Sequence, residues 1–372
     1  MLRNNIIVLL FVFFSSIILS SFDIKDKFLG ATFGCAIGDA MGRPTEFMSM
    51  AEIDKVYPKG IKSFSDFREQ DLFLDKSGKK FAPYTDDTAM AKLVMKALVE
   101  AKKKGLNLEK TMSTIAVLFI NDMHEKNGWY EWHRSPGNSC SAGVKILEKR
   151  NLQKLKPRWW DVKQSKAGGC GSVMRAFPFG LIFSDDVEKA EKWAVEHSKL
   201  THGSSTALAA CAAMAVGTAY SVQNKDVNFV VRKMIEAARR YDESTASMIE
   251  DAAKIAEENL YILADRGVAC VERARDMSKP VFEKYLGWAA HDAIAAATYA
   301  YIVGQNSVKT AIYLGVHTPG DSDSIACMAG ALAGAKCGVK NIPTKWLEVI
   351  EGSEELERLA DEGSKLTSTL PN

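Results

Sequence analysis

The sequence of 372 residues lacks the short motifs by which many catalytic and metal-binding domains are identified. It contains no C-x-x-C pair, no H-E-x-x-H, no Walker phosphate loop and no G-x-S-x-G elbow. These absences exclude the usual signatures of structural zinc sites, zinc proteases, P-loop nucleotide-binding proteins and α/β-hydrolases. Strand signals are also scarce, because alternating apolar and polar runs are few and no Asn-Gly turn joins two β-branched segments.

An excess of charge of one sign is missing as well. The formal net charge is +2, and no basic run is longer than the three lysines at 102–104. Those lysines fall at the end of a predicted helix, where positive charge interacts favourably with the helix dipole. The sequence therefore gives no electrostatic reason to expect a specific nucleic-acid partner.

Helical periodicity dominates the chain instead. Apolar residues recur at helical spacing over 90–101 and 108–119. Further alanine-rich helices are predicted at 204–221, 227–240, 245–264, 281–303 and 321–336. A charged final helix is predicted at 353–362. The small residues at 206–219 and 325–336 predict close packing at the centre of a bundle. Because no linker or fixed-period repeat divides the chain, we predict one all-α domain over about 25–372.

The N-terminus differs from the rest of the chain. Arg3 precedes an apolar run of 14 residues at 6–19, and no acid occurs before Asp23. This run is shorter than the ~20 residues that span a bilayer, so we interpret 1–22 as a secretory signal peptide, with an uncleaved signal-anchor as the alternative. The protein is then expected to be secreted or periplasmic, and membrane-bound only if this leader is retained. The seven cysteines argue for an intracellular ancestry, since an odd number in small apolar surroundings predicts few or no disulfides.

Two acidic segments open predicted helices that are far apart in the sequence. The first segment is Thr85-Asp86-Asp87, and the second contains Asp321, Asp323 and Ser324. Either could simply cap its helix, because Thr, Asp and Ser are good N-caps and acids favour the first turn. Together they offer six oxygen donors and no His or thiolate, which is the ligand set of a hard cation such as Mg²⁺, Mn²⁺ or Ca²⁺. We predict that the two segments meet in space.

Glu46, which follows the small-residue helix containing Gly38-Asp39, adds a further acid to this set. If Glu46 converges with the four aspartates of the acidic segments, the site has a formal charge of −5. Two carboxylates ~5 Å apart repel by about 3 kcal/mol at an effective dielectric constant of 20. One divalent cation would reduce the charge from −5 to −3, and two would reduce it to −1. Two cations are therefore the better prediction.

Three polar segments are candidates for binding other parts of a ligand. A glycine-rich stretch at 167–172 brings backbone amides close to a possible anion just before a helical run, and its candidate residues are Gly169, Cys170, Gly171 and Ser172. Glycine-rich helix entries are common, so a purely structural role is the alternative. Arg134 and Asn138 lie in a rigid polar turn, and His202 precedes Gly203 at another helix start.

The chain resembles the ADP-ribosylglycohydrolase family over roughly residues 27–350. The resemblance is carried, in order, by "GCAIGDAMGRPTEF", "YTDDTAM", "RSPGNSC", "GGCGSVMRAFP", "LTHGSSTALAA", "PGDSDSIACMAGALAGAKCG" and "IPTKWLE". It implies a compact all-α orthogonal bundle with two divalent cations, Mg²⁺ or Mn²⁺, at the base of a substrate cleft. The two acidic segments match the metal-binding triplets of the family. Glu46 matches an acid that contacts the metal site and gates the cleft in relatives.

Two residues depart from the usual family pattern. Ser324 stands where Thr is usual, so the ligating hydroxyl is retained, and Cys170 stands where Asn is more frequent in the glycine-rich loop.

The resemblance also implies an activity. We expect hydrolysis of the glycosidic bond between the distal ribose of ADP-ribose and a modified acceptor, with protein arginine as the expected acceptor. Glu46, Asp87 and Asp321 are then the expected catalytic residues, and an ADP-ribosylated protein or an ADP-ribosyl small molecule is the expected partner. The alternatives are a non-catalytic ADP-ribose-binding module and a hydrolase of another ADP-ribosyl or nucleotide-derived substrate.

Overall fold

Helices form almost all of the regular structure in this computed structural model, which describes residues 24–152, 157–162, 166–265, 271–304 and 306–367. The α-helices there are α1 (24–42), α2 (Met50–Val56), α3 (Asp86–Lys104), α4 (Leu108–Asp122), α5 (Asn138–Leu152), α6 (Phe177–Ile182), α7 (Val187–Ser198), α8 (Ser205–Val222), α9 (Val227–Arg239), α10 (Glu243–Asp265), α11 (Val271–Lys284), α12 (Ala290–Gly304), α13 (Val308–Val316), α14 (Ser322–Cys337), α15 (Thr344–Val349) and α16 (Ser353–Leu366). The all-α prediction is confirmed. The predicted leader at 1–22 lies outside the described residues.

A single small hairpin is the only sheet in these described ranges. It consists of β1 (Phe73–Leu74) and β2 (Lys80–Phe81), which pair antiparallel with Phe73 opposite Phe81. The hairpin lies in the long connection between α2 and α3, on the way to the first acidic segment.

Helix boundaries follow the local signals at most positions, but the predicted helix at 281–303 is wrong. α11 ends at Lys284 and α12 begins at Ala290, so a turn separates two helices. The residues between them are mostly apolar and continue the periodicity, and only Gly287, with a φ of +89°, marks the break. The helices α2, α5, α7, α13 and α15 have no counterpart among the predicted helices.

Three helices of small residues form the centre of the bundle. α8, α12 and α14 contact one another, and nearly all of their side chains are buried. α8 is the one helix among the described ranges that is long and apolar enough to span a membrane, and 78% of it is buried inside the fold. A helix that is apolar on every face and enclosed by others is typical of a protein core.

A line of glycines lets α1 approach α14 unusually closely. A Cβ atom added to Gly34 would lie 2.1 Å from the carbonyl oxygen of Gly330, and one added to Gly42 would lie 2.4 Å from the Cα of Asp323. Glycine permits this approach because it has no side chain. The glycine seam, as we call the contact between α1 and α14 through these residues, therefore holds the acidic first turn of α14 against the end of α1.

Candidate active site

The two acidic segments meet in one cleft with a volume of about 340 Å³. The cleft is lined by Glu46, Phe47, Asp86, Asp87, Ser135, Pro136, Gly137, Asn138, Ser139, Cys140, Gly169, Cys170, Gly171, Met174, His202, Trp288, Asp321, Asp323 and Ser324. Thr85 lies just behind this surface, and its hydroxyl donates a hydrogen bond to Asp87 Oδ2 at 3.1 Å. Folding thus brings five acids from three separate segments into one cleft.

Helix capping does not account for these acids. Thr85 caps α3 by accepting a hydrogen bond from the Asp87 amide, which leaves the Asp86 and Asp87 carboxyl groups out of that role. Asp321 occupies the N-cap position of α14, but its side chain makes no capping hydrogen bond. The buried Asp87 Oδ1 has no hydrogen-bond partner among the described residues. Because an unpaired buried oxygen is costly, the arrangement favours a further positively charged or hydrogen-bonding group in the cleft.

Asp39 holds the first acidic segment in place, a role that the sequence analysis did not assign. Its Oδ1 accepts a hydrogen bond from the Thr85 amide at 2.8 Å, and its Oδ2 accepts bonds from the Thr88 amide at 2.9 Å and the Thr88 hydroxyl at 2.6 Å. Asp39 is fully buried on α1. It therefore caps α3 from a different helix. The only sequence signal was an acid within the small-residue run of α1.

Burial and mutual repulsion make the ionised forms of these acids unfavourable. Burial, followed by the charge of Asp323, raises the pKa values of Asp86, Asp87 and Asp321 well above their usual range. The same two causes raise the pKa of Asp39 to about 7. A cleft with this many buried carboxyl groups binds protons or cations readily, because either one relieves the repulsion.

The donor set fits a hard divalent cation. Only oxygen atoms are supplied by the candidate ligands, which are the carboxyl groups of the acids in the cleft and the hydroxyl groups of Thr85 and Ser324. One of these oxygens, Asp87 Oδ1, has no hydrogen-bond partner among the described residues. Within the described ranges, no three His, Cys, Asp or Glu side chains are already arranged as a set of metal ligands. The carboxylates that could hold a cation would therefore have to turn toward it, which side-chain rotation permits.

Glu46 reaches the cleft from the loop that follows α1. The amide of Glu46 donates a hydrogen bond to the Gly42 carbonyl at 3.2 Å, and Glu46 lines the cleft together with Ser135. Burial and the charges of Asp323 and Asp321 raise the pKa of Glu46 to about 11. Glu46 thus lies among the other acids, as the sequence predicts, but it belongs to neither acidic helix start.

The glycine-rich loop forms one wall of the cleft, although it is less open to an anion than predicted. The Cys170 amide already donates to the Trp288 carbonyl at 3.2 Å. The Cys170 thiol faces the acids and donates to Asp321 Oδ2 at 2.8 Å. The assignment of Ser172 to substrate is not supported, because Ser172 is fully buried behind the wall and pairs with Ser198 at 2.8 Å between hydroxyl oxygens.

His202 lines the cleft in a defined neutral form. Arg175 donates to the Thr201 hydroxyl at 2.6 Å, and that hydroxyl lies 2.8 Å from His202 Nδ1. Because the Thr201 hydroxyl already accepts from Arg175 and still has its own proton to donate, we assign that proton to the bond with Nδ1, which places the His202 proton on Nε2. Burial and the Arg175 charge lower the pKa of His202 to about 3, so the ring is neutral. Its Nε2–H is a fixed donor next to the glycine-rich loop.

Arg134 does not reach the cleft, which corrects its assignment as a substrate-binding residue. Its guanidinium makes two hydrogen bonds of 2.7 Å to the Glu351 carboxylate and donates to the Tyr84 carbonyl at 2.6 Å. Tyr84 precedes the first acidic segment, so Arg134 stabilises the backbone that leads into the site. Asn138, from the same predicted turn, does line the cleft.

Comparisons with known proteins identify relatives along most of the chain. A family model described as ADP-ribosylglycohydrolase matches residues 20–371. The human ADP-ribosylhydrolase ARH3 is 26% identical over 353 residues, covering 90% of this chain and 92% of that protein. An ADP-ribosyl-[dinitrogen reductase] glycohydrolase of Rhodospirillum rubrum is 24% identical over 349 residues, with 90% and 93% coverage.

Two further matches extend this comparison. The ADP-ribosylarginine hydrolase Tri1 of Pseudomonas putida is 24% identical over 343 residues, covering 91% of this chain and 77% of that protein. A solved structure titled ADP-ribosylglycohydrolase-related protein complex has the same fold, with a TM-score of 0.60, 19% identity, and coverage of 93% of this chain and 99% of that one.

Proposed function

The chain belongs to the ADP-ribosylglycohydrolase family and is an ADP-ribosylhydrolase, and on this premise we propose that it removes ADP-ribose from modified arginine side chains of proteins. One observation carries the proposal most directly. Two distant acidic helix starts and Glu46 line a single cleft, and capping does not explain their carboxyl groups. Two relatives are named for activity on ADP-ribosylarginine and on ADP-ribosylated dinitrogen reductase, which supports a protein acceptor.

We further propose that the site works with two divalent cations, Mg²⁺ or Mn²⁺. The residues that would hold them are Thr85, Asp86, Asp87, Asp321, Asp323 and Ser324. When bound, such cations polarise oxygen atoms, acidify water and orient hydroxyl groups of a ribose. Two cations would offset four of the negative charges in the cleft, which supports two rather than one.

Proton transfer and stabilisation of the transition state are assigned to side chains of this protein. Hydrolysis breaks the bond between C1″ of the distal ribose and the acceptor nitrogen, forms a bond from C1″ to a water oxygen, and transfers one water proton to the departing nitrogen. We assign this proton transfer to Glu46, because it lines the cleft without belonging to either ligand set. We assign the carboxyl groups of Asp87 and Asp321 to stabilising the positive charge that develops on the ribose ring in an oxocarbenium-like transition state.

A second wall of the cleft, next to the acids, is assigned to the ADP part of the substrate. Asn138, Gly169, Gly171 and the Nε2–H of His202 line this wall. Together they offer an amide group, close backbone approach and a fixed neutral donor, which suits phosphate or adenine recognition. The export of the protein to the periplasm or cell exterior remains part of the proposal, and it depends on the leader at 1–22.

The double substitution Asp321→Asn and Asp323→Asn tests the proposed function. In the full-length protein we expect release of ADP-ribose from an arginine-linked peptide to fall by at least about 100-fold. Without cations the variant should melt at a higher temperature than the wild type, because folding of the wild type has to bury Asp321 and Asp323 either as repelling charges or with bound protons. Added Mg²⁺ or Mn²⁺ should stabilise the wild type and leave the variant unchanged.

A matched control is Asp276→Asn, which changes the same functional group on an exposed side chain far from the cleft acids. This control should behave as the wild type in all three measurements. Persistent hydrolysis by the double variant with unchanged cation dependence would refute the proposed site. Tight ADP-ribose binding by the wild type without any turnover on arginine-linked or serine-linked peptides would favour the non-catalytic binding module.

A further inference from the structure

Two exposed aromatic side chains stand together at the mouth of the cleft. Phe47 is 69% exposed and Trp288 is 40% exposed, and their rings stack with centroids 5.0 Å apart and planes inclined by 23°. Both residues line the cleft. Leu286, at 38% exposure, lies next to them, so three of the seven exposed large apolar side chains in the described ranges share one rim. Exposed apolar side chains that form a contiguous patch mark binding surfaces, whereas single exposed apolar side chains are common on any protein.

The backbone connects this aromatic pair to the acids below. The Phe47 amide donates to the Gly320 carbonyl at 2.8 Å, and the Asp321 amide donates to the Leu286 carbonyl at 2.9 Å. Phe47 directly follows Glu46 and has a φ of +65°, a region that a bulky residue rarely adopts. Non-glycine residues held in this region cluster at functional sites. The ring positions are therefore set by the same segments that carry Glu46 and Asp321.

The combination of aromatic faces and carboxyl groups fits one class of group. A guanidinium is planar and cationic, stacks on the faces of Trp and Phe rings, and pairs with carboxylates. Glu46 is adjacent to Phe47 and belongs to the cleft acids. A neutral hydroxyl acceptor would use neither the ring faces nor the negative charge. The pair stands at the mouth, where the acceptor must leave while the ribose remains above the acids.

We propose that Phe47 and Trp288 bind the arginine side of the scissile bond and thereby select arginine-linked substrates. This inference rests on the proposed function, since it names the residues that recognise the acceptor. The two residues act as specificity determinants and contribute little to binding of the released ADP-ribose.

Alanine substitution at each position tests the inference. In Phe47→Ala and Trp288→Ala, the KM for an arginine-linked ADP-ribosyl peptide should rise by roughly 5- to 30-fold, the loss expected for a desolvated cation–π contact. The Kd of free ADP-ribose, measured by calorimetry, should change by less than about 2-fold, because that product lacks the guanidinium. Phe47→Tyr and Trp288→Phe, which keep an aromatic face, should retain most of the affinity for the peptide. Trp132→Ala is the matched control, because Trp132 is 84% exposed and does not line the cleft.

Three results would overturn the inference. An equal loss of affinity for free ADP-ribose would assign the pair to the adenine or ribose instead. Unchanged KM values in both alanine variants would leave the pair without a role in recognition. A rise in KM for Trp132→Ala as large as that for Phe47→Ala and Trp288→Ala would show that the effect reflects nonspecific contact with exposed aromatic side chains.

Failure of the proposed function has a separate signature. If the wild type releases no ADP-ribose from the arginine-linked peptide, the proposed activity is wrong, and the intact peptide then serves as a titrant. Weaker binding of this peptide by both alanine variants than by the wild type would still support the aromatic site. Equal binding would overturn it.

Discussion

Replacing Gly34 with alanine is expected to impair catalysis from a position distant from the cleft. Gly34 lies on α1, roughly 12 Å along the helix axis from Gly42, where the glycine seam meets Asp323. The new Cβ would lie 2.1 Å from the Gly330 carbonyl oxygen and 2.7 Å from its carbon, whereas ordinary contact begins at 3.4 Å. Both atoms belong to the backbone and cannot rotate away. The two helices must therefore separate by roughly 1 Å in a close-packed interior.

Two opposing energies determine the effect on stability. Overpacking of a core costs about 1–3 kcal/mol. The higher helix propensity of alanine returns up to about 1 kcal/mol. We therefore expect a net loss of up to about 2 kcal/mol in the free energy of unfolding, together with a loss of activity. A displacement of about 1 Å in the reacting geometry costs up to about 100-fold in rate.

Two measurements on Gly34→Ala separate these effects. Urea denaturation gives the free energy of unfolding, and steady-state release of ADP-ribose gives kcat/KM. Lys25→Ala, which changes an exposed position on the same helix, should leave kcat/KM unaltered. A Gly34→Ala variant that is as active as the wild type and no less stable would show that the glycine seam does not set the geometry of the site.

Two other predictions concern buried groups around the site. Arg134→Met should lower the free energy of unfolding, measured in urea, by about 2–3 kcal/mol, because it leaves the Glu351 carboxylate and the Tyr84 carbonyl without their shared donor. A rise in KM with an unchanged free energy of unfolding would instead return Arg134 to a substrate-binding role. Acid should weaken the fold through His317, whose pKa burial lowers to about 3. The folded protein binds a proton at His317 less readily than the unfolded chain does. The contribution of His317 to stability is therefore complete above the unfolded pKa of about 6.5 and is lost as the pH falls toward 3. At pH 4.5 the loss is up to about 3 kcal/mol. His317→Gln should flatten this part of the stability curve, and the exposed His124→Gln should not; equal curves for both variants would contradict the assignment.

Residue type and local spacing were sufficient to predict much of the site. The two acidic segments could be identified because four carboxyl groups at helix starts exceed what capping requires, and both segments line the cleft. Asp39 was harder to interpret, since a lone acid in a helix gives no indication that it caps another helix. Nothing local distinguishes Phe47 and Trp288 from other aromatic residues, because their importance depends on stacking against one another at the cleft mouth.

The incorrect assignments share one cause. Arg134 and Ser172 belong to segments that do reach the cleft, but their side chains point behind its wall toward Glu351 and Ser198. Which side a side chain faces in an irregular segment depends on contacts from distant parts of the chain. The break between α11 and α12 was missed for a related reason, because the turn at Gly287 is stabilised by its contacts with the acidic start of α14 and with the glycine-rich loop.

By itself, the sequence determined the helical class, the starts of helices such as α4, α9 and α14, and the acidic character of the site, because periodicity, capping and charge are local properties of consecutive residues. The tertiary structure decided which acids meet, how closely α1 approaches α14, and which polar side chains face the cleft rather than the core. These features depend on contacts between residues far apart in the sequence, such as the backbones of Gly34 and Gly330 and the side chain of Asp39 with the start of α3. Such contacts arise only when the whole bundle packs, and local patterns do not encode their geometry.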